Sequence, residues 1–160
     1  MADLLRRALP RIGARGIPGD PAADPKLFRK EVERYRPQCL VAAPSQLRRL
    51  LEGLESPPNL RAVLSSAEPL PDDVRGALAA RWGCAVFDHY GLTETGYGGG
   101  VECPSHDGYH LREADLYWEV IDPFSGEPVP DGTPGEVVFT TLTRRAMPLI
   151  RYRTGDLASM

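Results

Sequence analysis

The sequence predicts an α/β fold, in which a parallel βαβ sheet segment is followed by a β-rich antiparallel meander. Two observations support this prediction. Up to Gly96, short apolar runs typical of buried parallel strands alternate with segments whose apolar residues recur at helical spacing. After Gly96, extended segments are separated by turn signals rich in proline, glycine and aspartate. Strands and helices that alternate with short links favour a parallel sheet with right-handed crossovers.

The first half of the chain contains three predicted helices, each followed by a predicted strand. Asp24-Pro25 has the composition of an N-cap and first-turn pair, and apolar residues at helical spacing follow it. Ser45 is predicted to cap a second helix. Pro71-Asp72-Asp73 opens a third helix, whose acidic first turn suits the helix macrodipole. The predicted strands are Cys39–Ala43, Leu60–Leu64 and Cys84–Phe87.

The second half contains extended segments joined by turns at Pro123–Gly126 and Pro130–Gly132. Its predicted strands are Gly108–Leu111, Tyr117–Asp122 and Gly135–Thr141. Prolines and glycines are dense near the start of the chain, which predicts an irregular connector there. We therefore divide the chain into an N-terminal connector (1–25), an α/β subdomain (26–105) and a β-rich subdomain (106–160).

The composition excludes several classes of protein. Apolar residues make up 42% and charged residues 26% of the chain, as in ordinary globular proteins. A net charge of −3 gives no basic surface for nucleic acid or an anionic membrane. No apolar run approaches the ~20 residues that a membrane-spanning helix needs. Cys39, Cys84 and Cys103 lack the spacing of a disulfide scaffold, so we expect a reducing, cytoplasmic location.

Two sequence blocks carry most of the functional information. They are Tyr90-Gly91-Leu92-Thr93-Glu94-Thr95 and Arg151-Tyr152-Arg153-Thr154-Gly155-Asp156. Ser66-Ala67-Glu68-Pro69 lies upstream, and Gly135–Thr143 leads through Met147–Ile150 into the second block. In this order and at this separation, the blocks resemble the adenylate-forming (AMP-binding) enzyme superfamily, and in particular its phenylacetate-CoA ligase branch. The resemblance runs from about residue 35 to the last residue.

For the first block, the resemblance implies contacts with ATP, the substrate whose α-phosphate is joined to a carboxylate. The block follows a strand, and ligands gather at the carboxyl ends of strands in open α/β sheets. Gly91 allows close backbone approach, Thr93 offers a hydroxyl to a phosphate oxygen, and Glu94 offers an oxygen ligand to Mg²⁺. Tyr90 offers a flat face for adenine. Thr93 and Glu94 are thus the candidate catalytic residues; the alternative is that they only begin a capped helix.

For the second block, the resemblance implies that Asp156 binds the ribose of the nucleotide. Asp156 is predicted in a turn after a strand, where its carboxylate could accept two hydroxyl groups. The alternative is a turn aspartate that bonds its own backbone.

Two further features complete the predicted cofactor-binding set. Ser66–Pro69 is predicted at the same sheet edge as Tyr90, and the resemblance implies that this loop lines the adenine pocket largely through backbone atoms. Glu68 could equally be a solvated loop residue. Asp88, which precedes the first block, is the last member of the set.

A glycine-rich run begins at Gly96, immediately after the first block. It lacks the Lys-Ser/Thr pair that follows a phosphate-binding loop. We interpret Gly96, Tyr97 and Gly98 as a flexible wall of the acyl pocket, with Tyr97 as an aromatic contact. The alternative is a mobile glycine loop without a ligand.

Cys103, His106 and His110 combine the thiolate and imidazole ligands that zinc prefers. A closed structural zinc site needs four ligands, so Cys39 or Cys84 would have to supply another. The alternative is a solvated His106 and a His110 on the face of a strand.

Two parts that the resemblance implies do not occur in this sequence. One is a glycine- and Ser/Thr-rich phosphate loop with a trailing lysine, expected before Tyr90. The other is a C-terminal domain whose lysine approaches the adenylate, expected after Asp156. The only lysines are Lys26 and Lys30, near the start. Each such group contributes roughly 10²-fold in rate, so we expect this chain alone not to turn over efficiently.

Three functional hypotheses remain open at this point. The chain is part of an ATP- and Mg²⁺-dependent acyl- or aryl-CoA ligase that acts on an aromatic or otherwise hydrophobic carboxylic acid, with CoA as acceptor. A complementary chain or a homo-oligomer would then supply the missing groups, unless they belong to parts of the protein outside this sequence. Alternatively, it is a non-catalytic module that binds AMP or an acyl-adenylate, or an inert ligase remnant. The joint presence of Thr93, Glu94 and Asp156 argues against the remnant.

Overall fold

The computed structural model describes residues 7–17, 19, 24–96 and 98–160. Two compact units divide the chain, the first ending at Asp88 and the second beginning at His89. Each unit has its own hydrophobic core. The predicted fold class, a parallel α/β segment followed by antiparallel strands, is confirmed.

The first unit alternates helices and strands. After a short 3-10 helix at Leu9–Ile12, its helices are α1 (Pro25–Tyr35), α2 (Pro44–Gly53) and α3 (Asp72–Trp82). Its strands are β1 (Cys39–Ala42), β2 (Ala62–Ser66) and β3 (Ala85–Tyr90), and the last two residues of β3 belong to the second unit. The three strands are parallel neighbours in the order β1-β2-β3, as the βαβ pattern predicted.

Local chemistry explains where these helices begin. The Asp24 side chain accepts a hydrogen bond from the Lys26 backbone N–H at 2.8 Å, which confirms the predicted N-cap of α1. The predicted cap of α2 at Ser45 was wrong, because Pro44 already occupies the first helical position. There the Gln46 side chain accepts from the Ala43 backbone N–H at 3.0 Å.

The core of the first unit is built from the apolar faces of its helices and strands. Leu47, Val63 and Leu78 are fully buried, and the Trp82 indole N–H donates to the Leu54 carbonyl at 3.3 Å. Packing in this core holds the three strands in place. It thereby also positions the loops that follow the strands.

The second unit is mainly antiparallel. The end of β3 pairs with β4 (Gly100–Glu102), which pairs in turn with β5 (Tyr109–Leu111). A separate sheet contains β6 (Leu116–Ile121), β7 (Gly135–Thr141) and β8 (Tyr152–Ala158), with β7 in the centre. Every helix in the described part of the chain is too short or too polar to cross a membrane.

An aromatic cluster forms the core of the second unit. Phe139 is fully buried on β7, with ring centroids 5.5 Å from Trp118 and 5.3 Å from Tyr152. Trp118 lies 6.3 Å from Tyr90 at the end of β3. These tilted ring pairs join the two sheets of the unit and give Tyr90 a fixed packing partner.

Candidate functional site

Tyr90 is the last residue of β3, whereas the sequence predicted that this strand would end at Phe87. Its backbone carbonyl accepts from the Gly99 N–H at 2.8 Å. Its ring is half-buried and lies 6.2 Å from the ring of Tyr109 and 6.3 Å from that of Trp118. Strand pairing and ring packing therefore both hold Tyr90 in place.

The two sequence blocks meet through a side-chain hydrogen bond. The Tyr90 hydroxyl donates to Asp156 Oδ2 at 2.8 Å, across 66 residues of sequence. The pKa of Tyr90 is raised to about 12. Partial burial is the larger cause, and the hydrogen bond to the Asp156 carboxylate is the second. The phenol therefore stays protonated and keeps its role as donor at neutral pH.

Asp156 lies within β8, so its prediction in a turn was wrong. The strand is irregular at this point: Glu136 pairs with Leu157 and Val138 with Arg153, so Thr154, Gly155 and Asp156 oppose one residue of β7. Gly155 has a φ of +79°, which glycine adopts without strain. A β-bulge of this kind changes the direction of a side chain, which explains how a strand residue reaches Tyr90.

Glu136, which is buried on β7, supports this bulge. Its carboxylate pairs with the Arg153 guanidinium and also accepts from the Gly155 backbone N–H at 3.2 Å. The hydrogen bonds from Arg153 hold the pKa of Glu136 below its ordinary value. The carboxylate is therefore charged at neutral pH and fixes the backbone next to Asp156.

A turn follows Tyr90 and carries Thr93 and Glu94. Thr95 is fully buried, and its hydroxyl donates to the Leu92 carbonyl at 2.8 Å. Thr93 is exposed and Glu94 is half-buried. The segment is therefore a closed turn and not the first turn of a helix.

Two arginines that the sequence analysis did not single out contact this turn. Arg112 Nη2 donates to the Thr95 carbonyl at 2.6 Å, and Arg144 Nη2 donates to the Glu94 carbonyl at 2.8 Å. Arginine is common on protein surfaces, and nothing in the local sequence marks these two residues. Their contacts depend on distant strands and a loop, so only the tertiary structure reveals them.

The glycine-rich run packs closely against the residues around Tyr90. A Cβ at Gly91 would lie 3.0 Å from the Gly98 Cα, and a Cβ at Gly98 would lie 2.3 Å from His89 Nε2. Gly98 is buried, whereas Gly96 is exposed. Tyr97, the predicted aromatic contact, lies outside the described residues. The role of Gly96, Tyr97 and Gly98 in an acyl pocket stays a prediction.

The predicted adenine loop, Ser66–Pro69, lies in the first unit. The Glu68 carboxylate accepts from the backbone N–H of Ser45 at 3.0 Å and from its hydroxyl at 2.7 Å. Glu68 thus caps the start of α2 and is not merely solvated. Ala67 has a φ of +77°, and Asp88 is buried at the end of the unit. Their predicted contacts with a nucleotide stay predictions.

The structure brings only part of the proposed zinc set together. The Cys103 thiol lies 2.9 Å from the Ser105 hydroxyl and also interacts with His110, whereas His106 faces Glu102 at 3.3 Å. Hydrogen bonds from Ser105, and then from His110, lower the pKa of Cys103 to about 7. Within the described ranges, no group of three or more His, Cys, Asp or Glu side chains is placed to hold a metal ion.

Mg²⁺ places a smaller demand on the protein than zinc. It commonly uses one or two carboxylates, with substrate phosphates and water as its other ligands. Glu94 is half-buried next to the exposed Thr93 hydroxyl, and its carboxylate forms no ion pair with the residues in 24–96 and 98–160. Glu94 would therefore supply a carboxylate, and Thr93 a hydroxyl, to a Mg²⁺-bound phosphate group.

Comparison with known proteins shows the family to which the chain belongs. The AMP-binding enzyme family matches residues 11–142 of the chain. A phenylacetate-coenzyme A ligase of Aromatoleum evansii is 39% identical over 137 residues, which are 81% of this chain and 31% of that protein. The phenylacetate-coenzyme A ligase of Escherichia coli K12 is 36% identical over 94% of this chain and 36% of its own length.

The fold of the chain is also similar to that of a solved CoA ligase. An open conformation of 2-hydroxyisobutyryl-CoA ligase, in complex with 2-HIB-AMP and CoA, superimposes with a TM-score of 0.84 at 26% identity. The match covers 96% of this chain and 36% of that structure. The chain thus spans about a third of the length of the relatives that it matches. Its matched residues, its similarity to these ligases and its fold show that it belongs to the AMP-binding enzyme family.

Proposed function

We propose that this protein is part of an ATP-dependent acyl- or aryl-CoA ligase, and that the chain supplies one part of the adenylate site. The observation that carries the proposal is the 2.8 Å hydrogen bond between Tyr90 and Asp156. It joins the two sequence blocks on which the resemblance depends. The curated relatives that match this chain are named as ligases of the same kind.

In the proposed reaction, a carboxylate oxygen of the acid attacks the α-phosphorus of ATP. An O–P bond forms, the bond to the β-phosphate breaks, and pyrophosphate leaves with the electron pair. A thiol, proposed to be that of CoA, then displaces AMP from the acyl-adenylate. The protein must hold the nucleotide and stabilise its phosphate charge while the reacting atoms are aligned.

The residues of the second unit divide this work between them. A carboxylate has about four lone-pair positions, so Asp156 can accept hydrogen bonds from ribose hydroxyls while Tyr90 retains its own. The half-buried ring of Tyr90 offers an aromatic surface to adenine. Thr93 donates a hydroxyl to a phosphate oxygen, and the close approach of Gly91 to the Gly98 backbone shapes the segment between them.

Glu94 is the residue that we propose to hold Mg²⁺. When bound, this ion would neutralise phosphate charge and orient the phosphate group. Glu94 is suited to that role because it is half-buried, and because a hydrogen bond from Arg144 holds its backbone carbonyl.

We further propose that the acid is aromatic or otherwise hydrophobic. The names of the matching relatives support this choice, since phenylacetate carries an aromatic ring. Gly96, Tyr97 and Gly98 are the proposed wall of the acyl pocket. We also propose that the protein is cytoplasmic. A complementary chain or a second copy would complete the site.

Equilibrium binding of AMP tests the proposed nucleotide site. We would titrate the chain and its Asp156→Ala variant with AMP, and with a non-hydrolysable aryl-adenylate analogue, each with and without Mg²⁺. We expect the wild-type chain to bind both ligands and Asp156→Ala to lose binding at least tenfold. Asp131→Ala, which removes an exposed carboxylate from a turn of the same unit, is the matched control.

The outcomes separate the hypotheses. Binding that Asp156→Ala abolishes and Asp131→Ala retains supports the proposed site. No binding at millimolar ligand, by a chain whose circular dichroism shows it to be folded, contradicts it and favours an inert ligase remnant. Equal binding by both variants contradicts the role of Asp156.

A further inference from the structure

Two guanidinium groups contact consecutive backbone carbonyls of the turn after Tyr90. Arg144 Nη2 donates to the Glu94 carbonyl at 2.8 Å, and Arg112 Nη2 donates to the Thr95 carbonyl at 2.6 Å. Hydrogen bonds with a charged donor are stronger than neutral ones. We call these residues the arginine pair. Both act on the backbone of the segment that carries Thr93 and Glu94.

Each member of the pair is itself held in place. Arg112 Nε donates to Asp115 Oδ1 at 2.7 Å, and the two side chains are only 25% and 29% exposed. Arg144 is half-buried and lies against Gly96, where an added Cβ would be 3.1 Å from its Nη2 atom. Gly96 also has a φ of +80°, so both its conformation and its lack of a side chain favour the approach of Arg144.

The hydrogen bonds within the turn are made by its backbone groups and by the buried Thr95. Thr95 N–H donates to the Leu92 carbonyl at 3.2 Å, and Gly96 N–H donates to the Thr93 carbonyl at 3.1 Å. The Thr93 side chain is exposed and the Glu94 side chain is half-buried. The contacts that hold the turn are therefore made to its backbone and to the Thr95 hydroxyl.

We propose that Arg112 and Arg144 are positioning residues that hold the Thr93–Glu94 turn in the geometry needed to bind a nucleotide phosphate with Mg²⁺. The inference rests on the proposed adenylate site. The arginine pair acts through the backbone and does not contact the nucleotide. Fixing the turn before the ligand arrives lowers the ordering cost of binding.

The chain offers a matched control for Arg144. Arg145 is the next residue, carries the same charge and is exposed. The test measures two quantities for Arg144→Ala, Arg112→Ala, Arg145→Ala and the wild type. One is the affinity for AMP with and without Mg²⁺, and the other is the hydrogen-exchange rate of the Thr95 and Gly96 backbone amides without any ligand.

We expect Arg144→Ala to speed the exchange of the Thr95 amide, which shares a peptide group with the Glu94 carbonyl. The same variant should weaken Mg²⁺-dependent AMP binding about tenfold, the lower end of the range for one hydrogen bond to a charged group. Arg112→Ala should speed the exchange of the Gly96 amide, which shares a peptide group with the Thr95 carbonyl, and should weaken AMP binding similarly. Arg145→Ala should change neither the exchange rates nor the affinity. Arg144→Lys, which keeps a cationic donor, should recover part of the affinity. When Glu94→Gln is already present, Arg144→Ala should weaken binding by clearly less than tenfold.

The exchange rates separate this inference from the proposed function. An unchanged exchange rate of the Thr95 amide in Arg144→Ala overturns the inference, whether or not AMP binds. Faster exchange with unchanged AMP affinity also overturns it. If the wild type binds no AMP, the proposed function fails, and the role of the pair in nucleotide binding fails with it. Unchanged hydrogen-exchange rates of the β7 backbone amides would show that a variant remains folded.

Discussion

The hydroxyl of Tyr90 donates a hydrogen bond to Asp156 Oδ2 at 2.8 Å, although 66 residues separate them in the chain. Tyr90 ends β3, and Asp156 lies in the bulge of β8. The bond occupies one carboxylate oxygen and leaves acceptor capacity on the other. Tyr90 thereby orients the group that we propose to bind the ribose.

Removal of this hydroxyl should weaken nucleotide binding without removing the aromatic surface. We expect Tyr90→Phe to lower the affinity for AMP by a factor of about three to ten, the range for one net hydrogen bond. Isothermal titration of both proteins measures the change. Tyr117→Phe is the control, because Tyr117 is exposed on β6 of the same unit. Tighter binding by Tyr90→Phe would mean that the hydroxyl competes with the ligand for Asp156.

Glu136 should contribute to stability in a pH-dependent way. Since Arg153 holds the pKa of Glu136 below its ordinary value, the contribution is complete above that ordinary value. It is lost as pH falls through the lowered pKa of the folded state. We therefore expect Glu136→Gln to be less stable than the wild type at neutral pH, with the difference shrinking in acid.

Urea unfolding at a series of pH values measures this difference. Glu113→Gln is the matched control, since Glu113 is exposed. A gap between Glu136→Gln and the wild type that stays constant down to strongly acidic pH would contradict the assigned ion pair.

Cys103 should be the most reactive thiol of the protein near neutral pH. Hydrogen bonds from Ser105 lower its pKa to about 7, so it carries far more thiolate near neutral pH than an ordinary cysteine. Burial raises the pKa of the Cys84 thiol, and partial desolvation of its sulfur raises that of Cys39, although Cys39 as a residue is exposed. We expect a disulfide reagent to show one fast phase at pH 7, which Cys103→Ser removes.

Ser105→Ala should slow this fast phase more than His110→Ala, because the bond with Ser105 has the larger effect on the thiol. The rate of modification as a function of pH gives the apparent pKa in each variant. A fast phase that survives in Cys103→Ser would contradict the prediction.

Phe139 should be a major source of stability for the second unit. It is fully buried, and its ring packs against Trp118 and Tyr152. We expect Phe139→Ala to lower the free energy of unfolding by about 3–5 kcal/mol, because a buried aromatic ring leaves a cavity. Chemical denaturation, monitored by tryptophan fluorescence, measures this change in the free energy of unfolding. Phe124→Ala, at a side chain that is 98% exposed, should have little effect.

Much of the fold could be predicted from the chain because local patterns determine it. Asp24 caps α1 as its position before Pro25 suggested, and the three parallel strands lie where short apolar runs occur. The exact ends were less predictable. β3 extends to Tyr90, since its last residues pair with β4, a partner that local sequence does not reveal.

The sequence by itself determined the fold class, the family and the identity of the candidate residues Tyr90, Thr93, Glu94 and Asp156. Periodicity predicts the fold class, and the resemblance of the two sequence blocks to a known family predicts the family and these residues. Both can be recognised in the linear sequence. Only the tertiary structure decided that Asp156 lies in a bulge against Tyr90, that Glu136 supports this bulge, and that Arg112 and Arg144 hold the turn. Such contacts join residues far apart in the chain, and they exist only once strand pairing and core packing have brought the backbones together.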